Sequence, residues 1–267
     1  MEMNRPETPR QWITAAALHE QGQRQDQQDA WGISPCEAYD RQGVTAVLAD
    51  GMGGLPNGKQ VSNALVLAFL SQIQSESSDI EPQELLLHGA KAANQHIGTV
   101  QKGLSQKGGS TLAAVMMRRG RLHFLSVGDS RIYLWRNGGL IQLNRDQNYG
   151  QELALQYVNS QCSLETLRGD PQAAALTGYY STGFLSLLDR SSHGIRLLDG
   201  DKVVLCTDGV YHGLPEEIMA GILGNDPVQA ADSMGQLIAG MQIPGQDNYT
   251  AIILEYTDKA GACQAGR

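Results

Sequence analysis

Four aspartates in this chain stand where apolar, strand-like runs give way to turns. Asp50 follows VTAVLA (44–49) and opens DGMGG, Asp129 closes LHFLSV (122–127) in SVGDSR (126–131), and Asp208 closes VVLCT in LCTDGV (205–210). Asp247, in GQDNYT (245–250), comes just before YTAIILEY (249–256). In an antiparallel sheet the end of one strand and the start of its neighbour share an edge, so all four can meet at one place. A single Asp-Gly after a strand is an ordinary turn or helix cap. Four on core strands are harder to dismiss, because two carboxylates 4 Å apart repel by about 4 kcal/mol at an effective dielectric near 20. Such a cluster needs protons or a cation. Ligands that are all oxygen, with no neighbouring His or Cys, suit the hard ions Mg²⁺ or Mn²⁺ in octahedral shells that keep several waters. Of six histidines only His212 lies close to one of these aspartates, and it reads as a surface residue. Two such ions about 3.5–4 Å apart acidify a shared water and direct it in line at phosphorus.

Other motifs point to other chemistry and fail on particular residues. GGLPNGKQ (53–60) approaches a phosphate-cradling loop, but Gln60 stands where a hydroxyl would hold the nucleotide's Mg²⁺, and Pro56 removes an N–H donor. CSLETLR (162–168) has the Cys-to-Arg spacing of a thiol phosphatase, yet it has no glycine to let successive N–H groups converge, and it reads as a helical turn. Cys206 has His212 at the position where that chemistry needs Arg, and it reads as core. Arg131, two residues from Asp129, reads as an ion-pair partner rather than a phosphate ligand. Val61, Leu65, Phe69 and Ile73, at helical spacing, read as a buried helix face.

The elements that must carry these residues follow from hydrophobic periodicity. Strands are expected at 12–18, 44–49, 110–117, 122–127, 131–136, 202–207 and 249–256, and hairpin turns at Arg119-Gly120 and Asn137-Gly138-Gly139. Helices are expected at 57–75, at 82–102 with Pro82 near the start, and around 215–223 and 227–241. Antiparallel strands interrupted by helix pairs predict an α+β sandwich, two sheets with helices outside, in one domain. The chain has 267 residues, 41% hydrophobic, and its longest apolar run, ALVLAFL (64–70), is far too short to span a bilayer. Twenty basic against 28 acidic residues give −8, a balance that disfavours nucleic acid and acidic membranes. Cys36, Cys162, Cys206 and Cys263 form no CxxC pair and the first residues lack an apolar leader, so a reducing cytoplasm is expected, without zinc fingers or disulfides.

RQDQQD (24–29), DGMGG (50–54), GGST (108–111), VGDSR (127–131), CTDG (206–209) and DNYT (247–250), in this order, resemble the metal-dependent serine/threonine phosphatases of the protein phosphatase 2C family, bacterial type. The resemblance covers about 11–256 and implies a four-layer α-β-β-α sandwich. It implies two ions, Mn²⁺ or Mg²⁺, with Asp50 bridging both. The Gly51 carbonyl would reach the second ion, and Asp208 and Asp247 would complete the first. It further gives Asp29 metal-bound water to hold, Arg24 the substrate phosphate, and Asp129 with Asp208 a weaker third ion. The implied catalytic set is Arg24, Asp50 and Asp208. Residues 1–10 would then be an extension, 144–192 a flap beside the active site and 257–267 a tail. The expected protein is a cytoplasmic monomer acting on phosphoproteins made by a serine/threonine kinase. The contrasting reading is a silent phosphoprotein-binding module on the same fold, and such a relative should have lost Asp50, Asp208 or Asp247. Departures from the family pattern are Gln27 in place of Asn, Asp146-Gln147-Asn148 in place of Asp-His-Ser, and LTGYYSTG (176–183) in the flap. Tyr179 and Tyr180 there either meet the peptide or pack the flap onto the body.

Overall fold

The computed structural model describes residues 11–35, 42–52, 57–181 and 188–258. The expected extension (1–10), most of the expected tail (259–267), Cys36, Cys263, the turn at 53–56 shared by DGMGG and GGLPNGKQ, and flap residues 182–187 lie outside them.

Eleven strands run in chain order: β1 Gln11–Glu20, β2 Ala30–Ile33, β3 Val44–Ala49, β4 Leu112–Arg118, β5 Arg121–Val127, β6 Arg131–Arg136, β7 Gly139–Gln142, β8 Asp189–Arg190, β9 Ile195–Arg196, β10 Lys202–Cys206 and β11 Tyr249–Asp258. One sheet has the order β1-β11-β10-β6-β7 and the other β2-β3-β4-β5-β8, with β9 also on β5; every pairing is antiparallel. The helices are α1 Gly58–Ser75, α2 Pro82–Val100, α3 Tyr149–Val158, α4 Leu164–Gly169, α5 Asp208–Gly213, α6 Glu216–Ile222 and α7 Pro227–Gly240.

The period-two alternation of each central strand sorts its side chains into separate cores. Ala46 and Leu48 of β3, Ala113 and Val115 of β4, Val203 and Leu205 of β10 and Ile252 and Leu254 of β11 fill the space between the sheets. Val47 and Ala49 turn the other way, onto the α1 stripe of Val61, Leu65, Phe69 and Ile73 and onto α2. Val204, Cys206, Ala251 and Ile253 turn onto Met219 of α6 and Met234 and Ile238 of α7. Three apolar layers between four structural layers make the α-β-β-α sandwich. It also explains why β3 is buried at every residue, since both of its faces are covered.

The two tight hairpins have positive φ where expected, at Arg119 (51°) with Gly120 (68°) and at Asn137 (51°) with Gly138 (83°). Helix α7 starts with Asp226 accepting from the N–H groups of Val228 and Gln229 and Pro227 in its first turn. The expected strand at 110–117 begins only at Leu112; Ser110 instead bridges Gly51 on one side and Tyr180 on the other. The last strand reaches Asp258, taking in the first two residues of the expected tail. Among the described residues no helix is long and apolar enough to cross a membrane.

Candidate active site

The edge shared by the ends of β3, β5 and β10 and the start of β11 gathers the predicted acidic residues, and the loop from Gln21 to Asp29, between β1 and β2, closes over it. Cys206 lies opposite Ala251 in the β10–β11 ladder, and the Thr207 N–H donates to the Thr250 carbonyl at 3.0 Å. That register sets Asp208, the first residue of α5, beside Asp247. Across the other sheet, the Thr111 N–H donates to the Asp50 carbonyl at 2.9 Å and the Asp50 N–H to Thr111 Oγ1 at 3.0 Å. The Thr111 hydroxyl also bonds the Ser130 hydroxyl at 2.6 Å, which ties the Asp50 turn to the Asp129 turn. Gly51 is squeezed between chain segments: a Cβ there would lie 2.6 Å from the Gln28 carbonyl oxygen and 2.6 Å from the Gly58 carbonyl carbon. Only glycine lets the main chain pass this close to the loop and the start of α1.

Asp29 is buried, at 3% exposure, and its two oxygens are treated unequally. Oδ2 accepts from the hydroxyls of Thr207 (3.0 Å) and Thr250 (2.6 Å), while Oδ1 has no partner among the described residues. Burial pushes its carboxyl up to about 7, against the two hydroxyl bonds and with help from Asp208 and Asp247. Asp50 is half-buried, and its carboxyl is driven well above the carboxylate range by desolvation and then by the charges of Asp29, Asp208, Asp129 and Asp247. Asp129 is pushed up to about 7 by burial, Asp208 and Asp146, and Asp208 is raised by burial and Asp247. The structure therefore brings Asp29, Asp129, Asp208 and Asp247 within the field of Asp50. Asp29 and Asp50 have no protein cation among the chief influences on them, whereas Asp247 is paired with Arg24.

A divalent ion fits this arrangement on two observations: the orphaned Asp29 Oδ1, and a set of raised carboxyls whose donors are all oxygen. Among the described residues, no three acidic, His or Cys side chains are packed closely enough to enclose an ion by themselves. The all-oxygen donors match Mg²⁺ or Mn²⁺, which keep several waters, rather than zinc with its nitrogen and sulfur ligands.

Arg24 is exposed and donates from Nη2 to Asp247 Oδ2 at 2.6 Å. Its loop is held by Asn248, whose Oδ1 accepts from the Gln28 N–H (2.8 Å) and whose Nδ2 donates to the carbonyls of Gln21 (2.7 Å) and Asp26 (3.0 Å). Gln27, the departure from Asn, accepts from the Asp29 N–H at 3.0 Å and donates to the Glu20 carbonyl at 2.9 Å. Arg131 pairs with Asp146 (Nη2 to Oδ2, 2.8 Å) and lies 3.8 Å over the Tyr211 ring, the structural role expected of it. His212 is exposed, its Nδ1 3.8 Å from Asp208 Oδ2. Cys206 is buried, its thiol pushed up to about 12 chiefly by desolvation, and residues Leu164–Gly169 form a helix, so neither thiol motif shapes a nucleophile.

In the segment expected to form a flap, Gln147 binds Gly128 twice, its N–H donating to that carbonyl at 3.0 Å and its Oε1 accepting from that N–H at 2.9 Å. That ties the segment to the turn that carries Asp129. Tyr180 is fully buried and exchanges main-chain bonds with Ser110 (2.8 and 3.0 Å), so it packs onto the body; Tyr179 is exposed. Sequence reasoning missed Thr111, Thr207, Asn248 and Thr250 as positioning residues. Their signal was a polar side chain in or beside an apolar strand run, buried here at 4% exposure or less.

The protein phosphatase 2C family model matches residues 18–237. The serine/threonine protein phosphatase PstP of Mycobacterium tuberculosis is 29% identical over 218 residues, which are 79% of this chain and 40% of that protein, so the chain spans well under half of that relative's length. The S. agalactiae serine/threonine phosphatase structure superposes with a TM-score of 0.77 at 25% identity, covering 91% of this chain and 99% of that one. The catalytic domain of a PstP phosphatase, solved with two manganese ions, superposes with a TM-score of 0.72 at 23% identity over 93% and 100% of the chains. With the family model spanning most of its length and the aspartates of its motifs gathered at one sheet edge, this chain belongs to the protein phosphatase 2C family.

Proposed function

We propose that this protein hydrolyses phosphoserine and phosphothreonine on proteins by direct attack of water, with no covalent intermediate. The observation that carries the reading is Asp29 Oδ1, a buried carboxylate oxygen without a partner among the described residues and beside other raised carboxyls. Asp50, with the Gly51 carbonyl, Asp208 and Asp247, is assigned to hold two ions, Asp29 to orient a water beside them, and Asp129 with Asp208 to hold a weaker third. Mg²⁺ or Mn²⁺ bound there supplies a Lewis acid for phosphoryl oxygens and lowers the pKa of water. The manganese seen in the PstP neighbour supports that choice of ion.

This chain's own groups then divide the work. Thr207 and Thr250 fix Asp29 through Oδ2, leaving Oδ1 to accept a proton from the attacking water. Arg24 presents a guanidinium that matches two phosphoryl oxygens, once it leaves Asp247. Residues 144–192 are assigned as the flap that reads the protein around the phosphate, with the exposed Tyr179 as the contact. The substrates are taken to be products of a serine/threonine kinase. A silent binding module is disfavoured because Asp50, Asp208 and Asp247 are all present and meet at one edge.

Phosphate release from phosphoserine, phosphothreonine and phosphotyrosine peptides in Mn²⁺ tests the reading. Release from the first two is expected; binding of these peptides with no release would leave the silent module as the answer.

A further inference from the structure

At the opposite end of β5 from Asp129, a second concave site carries the reverse charge. Strand β5 rises about 20 Å between Arg121 and Val127, so this site is remote from the acidic edge. It is a cavity of about 380 Å³ between the β4–β5 hairpin, the first turn of α2 and the loop at 193–194. Arg118, Arg119 and Arg121 line it, with Glu81 as the one carboxylate among the lining residues. Among the described residues none of the three arginines forms an ion pair with a carboxylate. The Arg118 guanidinium is instead held by the carbonyls of Ile80 and Ser78, and Arg121 Nη1 donates to the Gly194 carbonyl at 2.9 Å. These neutral carbonyls position the two guanidinium groups, while Glu81 and Asp79 act on Arg118 only through space. In a chain of net charge −8, three arginines around one concavity are a local reversal.

His123, on β5 with Arg121, lines the same cavity at 6% exposure. Its Nδ1 is buried and has no partner among the described residues. Gly194 keeps the hollow open at this point, because a Cβ there would lie 2.6 Å from His123 Nε2. The nineteen-residue helix α2 contributes the positive end of its dipole from the same side.

We propose that this hollow is a binding site for a phosphate group, free or esterified, separate from the acidic edge where hydrolysis is assigned. Arg119 and Arg121 supply the charge and Arg118 the fixed guanidinium at the wall. Glu81 opposes the anion and sets an upper limit on affinity. The proposal does not rest on the hydrolytic reading, because it concerns binding alone.

Amide spectra of the Mg²⁺-loaded protein, titrated with inorganic phosphate, test it at Arg121, His123 and Gly194. A saturable shift at these amides is expected. Arg119→Gln with Arg121→Gln, both exposed and outside the core, should weaken it by about tenfold or more as two charged donors are lost. Glu81→Gln should tighten it by about threefold or more, since an opposing charge goes and Glu81 makes no side-chain cap bond that could be lost with it. A short peptide bearing the phosphonate analogue of phosphoserine separates the sources: movement of the same amides assigns the site to esterified phosphate, and stillness with movement by inorganic phosphate assigns it to the free ion. No saturable shift, the same shift in sodium chloride of equal ionic strength, or an unchanged affinity in Glu81→Gln would overturn the proposal.

Discussion

Arg24 Nη2 lies 2.6 Å from Asp247 Oδ2, so the arginine assigned to substrate phosphate is paired with a carboxylate assigned to an ion. The two partners are 223 residues apart in sequence and both are more than a third exposed. An exposed pair of this kind is worth about 0–1 kcal/mol, so it is easily exchanged for stronger partners on each side. On the assigned roles, loading of the acidic edge should favour release of Arg24 toward phosphate, by no more than the worth of this pair.

Arg24→Ala should raise KM for a phosphopeptide about tenfold or more with a smaller loss in kcat, because the guanidinium acts in both ground and transition states. The same change should leave ion affinity unaltered or tighten it by at most about fivefold, the equivalent of the exposed pair. Steady-state kinetics and calorimetric titration with Mn²⁺ check both halves. A collapse of kcat alone would make Arg24 a transition-state or structural residue.

Asp208→Asn should lower turnover by on the order of 10²-fold or more while leaving the ion-free protein folded and more heat-stable, because it removes one of the mutually repelling charges. Cys206→Ser and Cys162→Ser should keep most activity. Cys206 is buried with a thiol near about 12, and Cys162 Sγ is spent on the Leu153 carbonyl at 3.6 Å. Loss of turnover in either serine variant, with the fold intact, would revive the thiol mechanism.

The raised carboxyls predict an inverted pH dependence of stability in chelator. Asp129 has its folded value near about 7 against 3.8 ordinarily, so between those values the folded state binds more protons than the unfolded one. Its stabilising contribution is thus complete below 3.8 and is lost as pH rises through about 7. His19 and His123, both lowered by burial, act in the opposite sense, so the comparison must be with a variant. Melting temperatures from pH 5 to pH 8 should fall more steeply in the parent than in Asp129→Asn. Parallel curves would mean that Asp129 ionises normally.

Tyr179→Ala should raise KM for a phosphopeptide by about threefold or more, as one aromatic contact is lost, and leave an aryl phosphate unaffected. Tyr180→Ala should cost about 3 kcal/mol or more in stability, as for other buried aromatic truncations. Tyr180→Phe should cost little, since the phenol reaches only the Ala90 carbonyl at 3.4 Å. Equal losses on peptide and aryl phosphate in Tyr179→Ala would make the flap purely structural.

What could be read from the sequence was whatever has a local period or a local sign. Val44–Ala49, Lys202–Cys206 and Tyr249–Asp258 are apolar runs long enough to declare themselves strands, and the aspartates beside them stand out by contrast. Ala30–Ile33 is four residues with a glycine inside, and Asp189–Arg190 and Ile195–Arg196 are two each, too short for any period; they are strands because β3 and β5 offer them an edge. Helices α3 and α4 have proper caps, Asn148 accepting from Gln151 and Ser163 from Thr166, but Leu155, Tyr157, Val158 and Leu164 are exposed and blur the apolar face that would have marked them. In the site, the acidic residues were legible as types, whereas the hydroxyls of Thr207 and Thr250 became donors to Asp29 only through the β10–β11 register. Tyr179 and Tyr180 could not be told apart by type, because the Ser110 bridge that buries one of them joins distant segments.

The central claim is that hydrolysis here depends on ions held by an all-oxygen carboxylate edge. The direct measurement is phosphate release from a phosphothreonine peptide by purified protein, first with Mn²⁺, then in excess chelator, then with Mn²⁺ restored. Release with Mn²⁺, its disappearance in chelator and its return on restoration are predicted. Undiminished release in excess chelator, or none from folded protein saturated with Mn²⁺, would contradict the account.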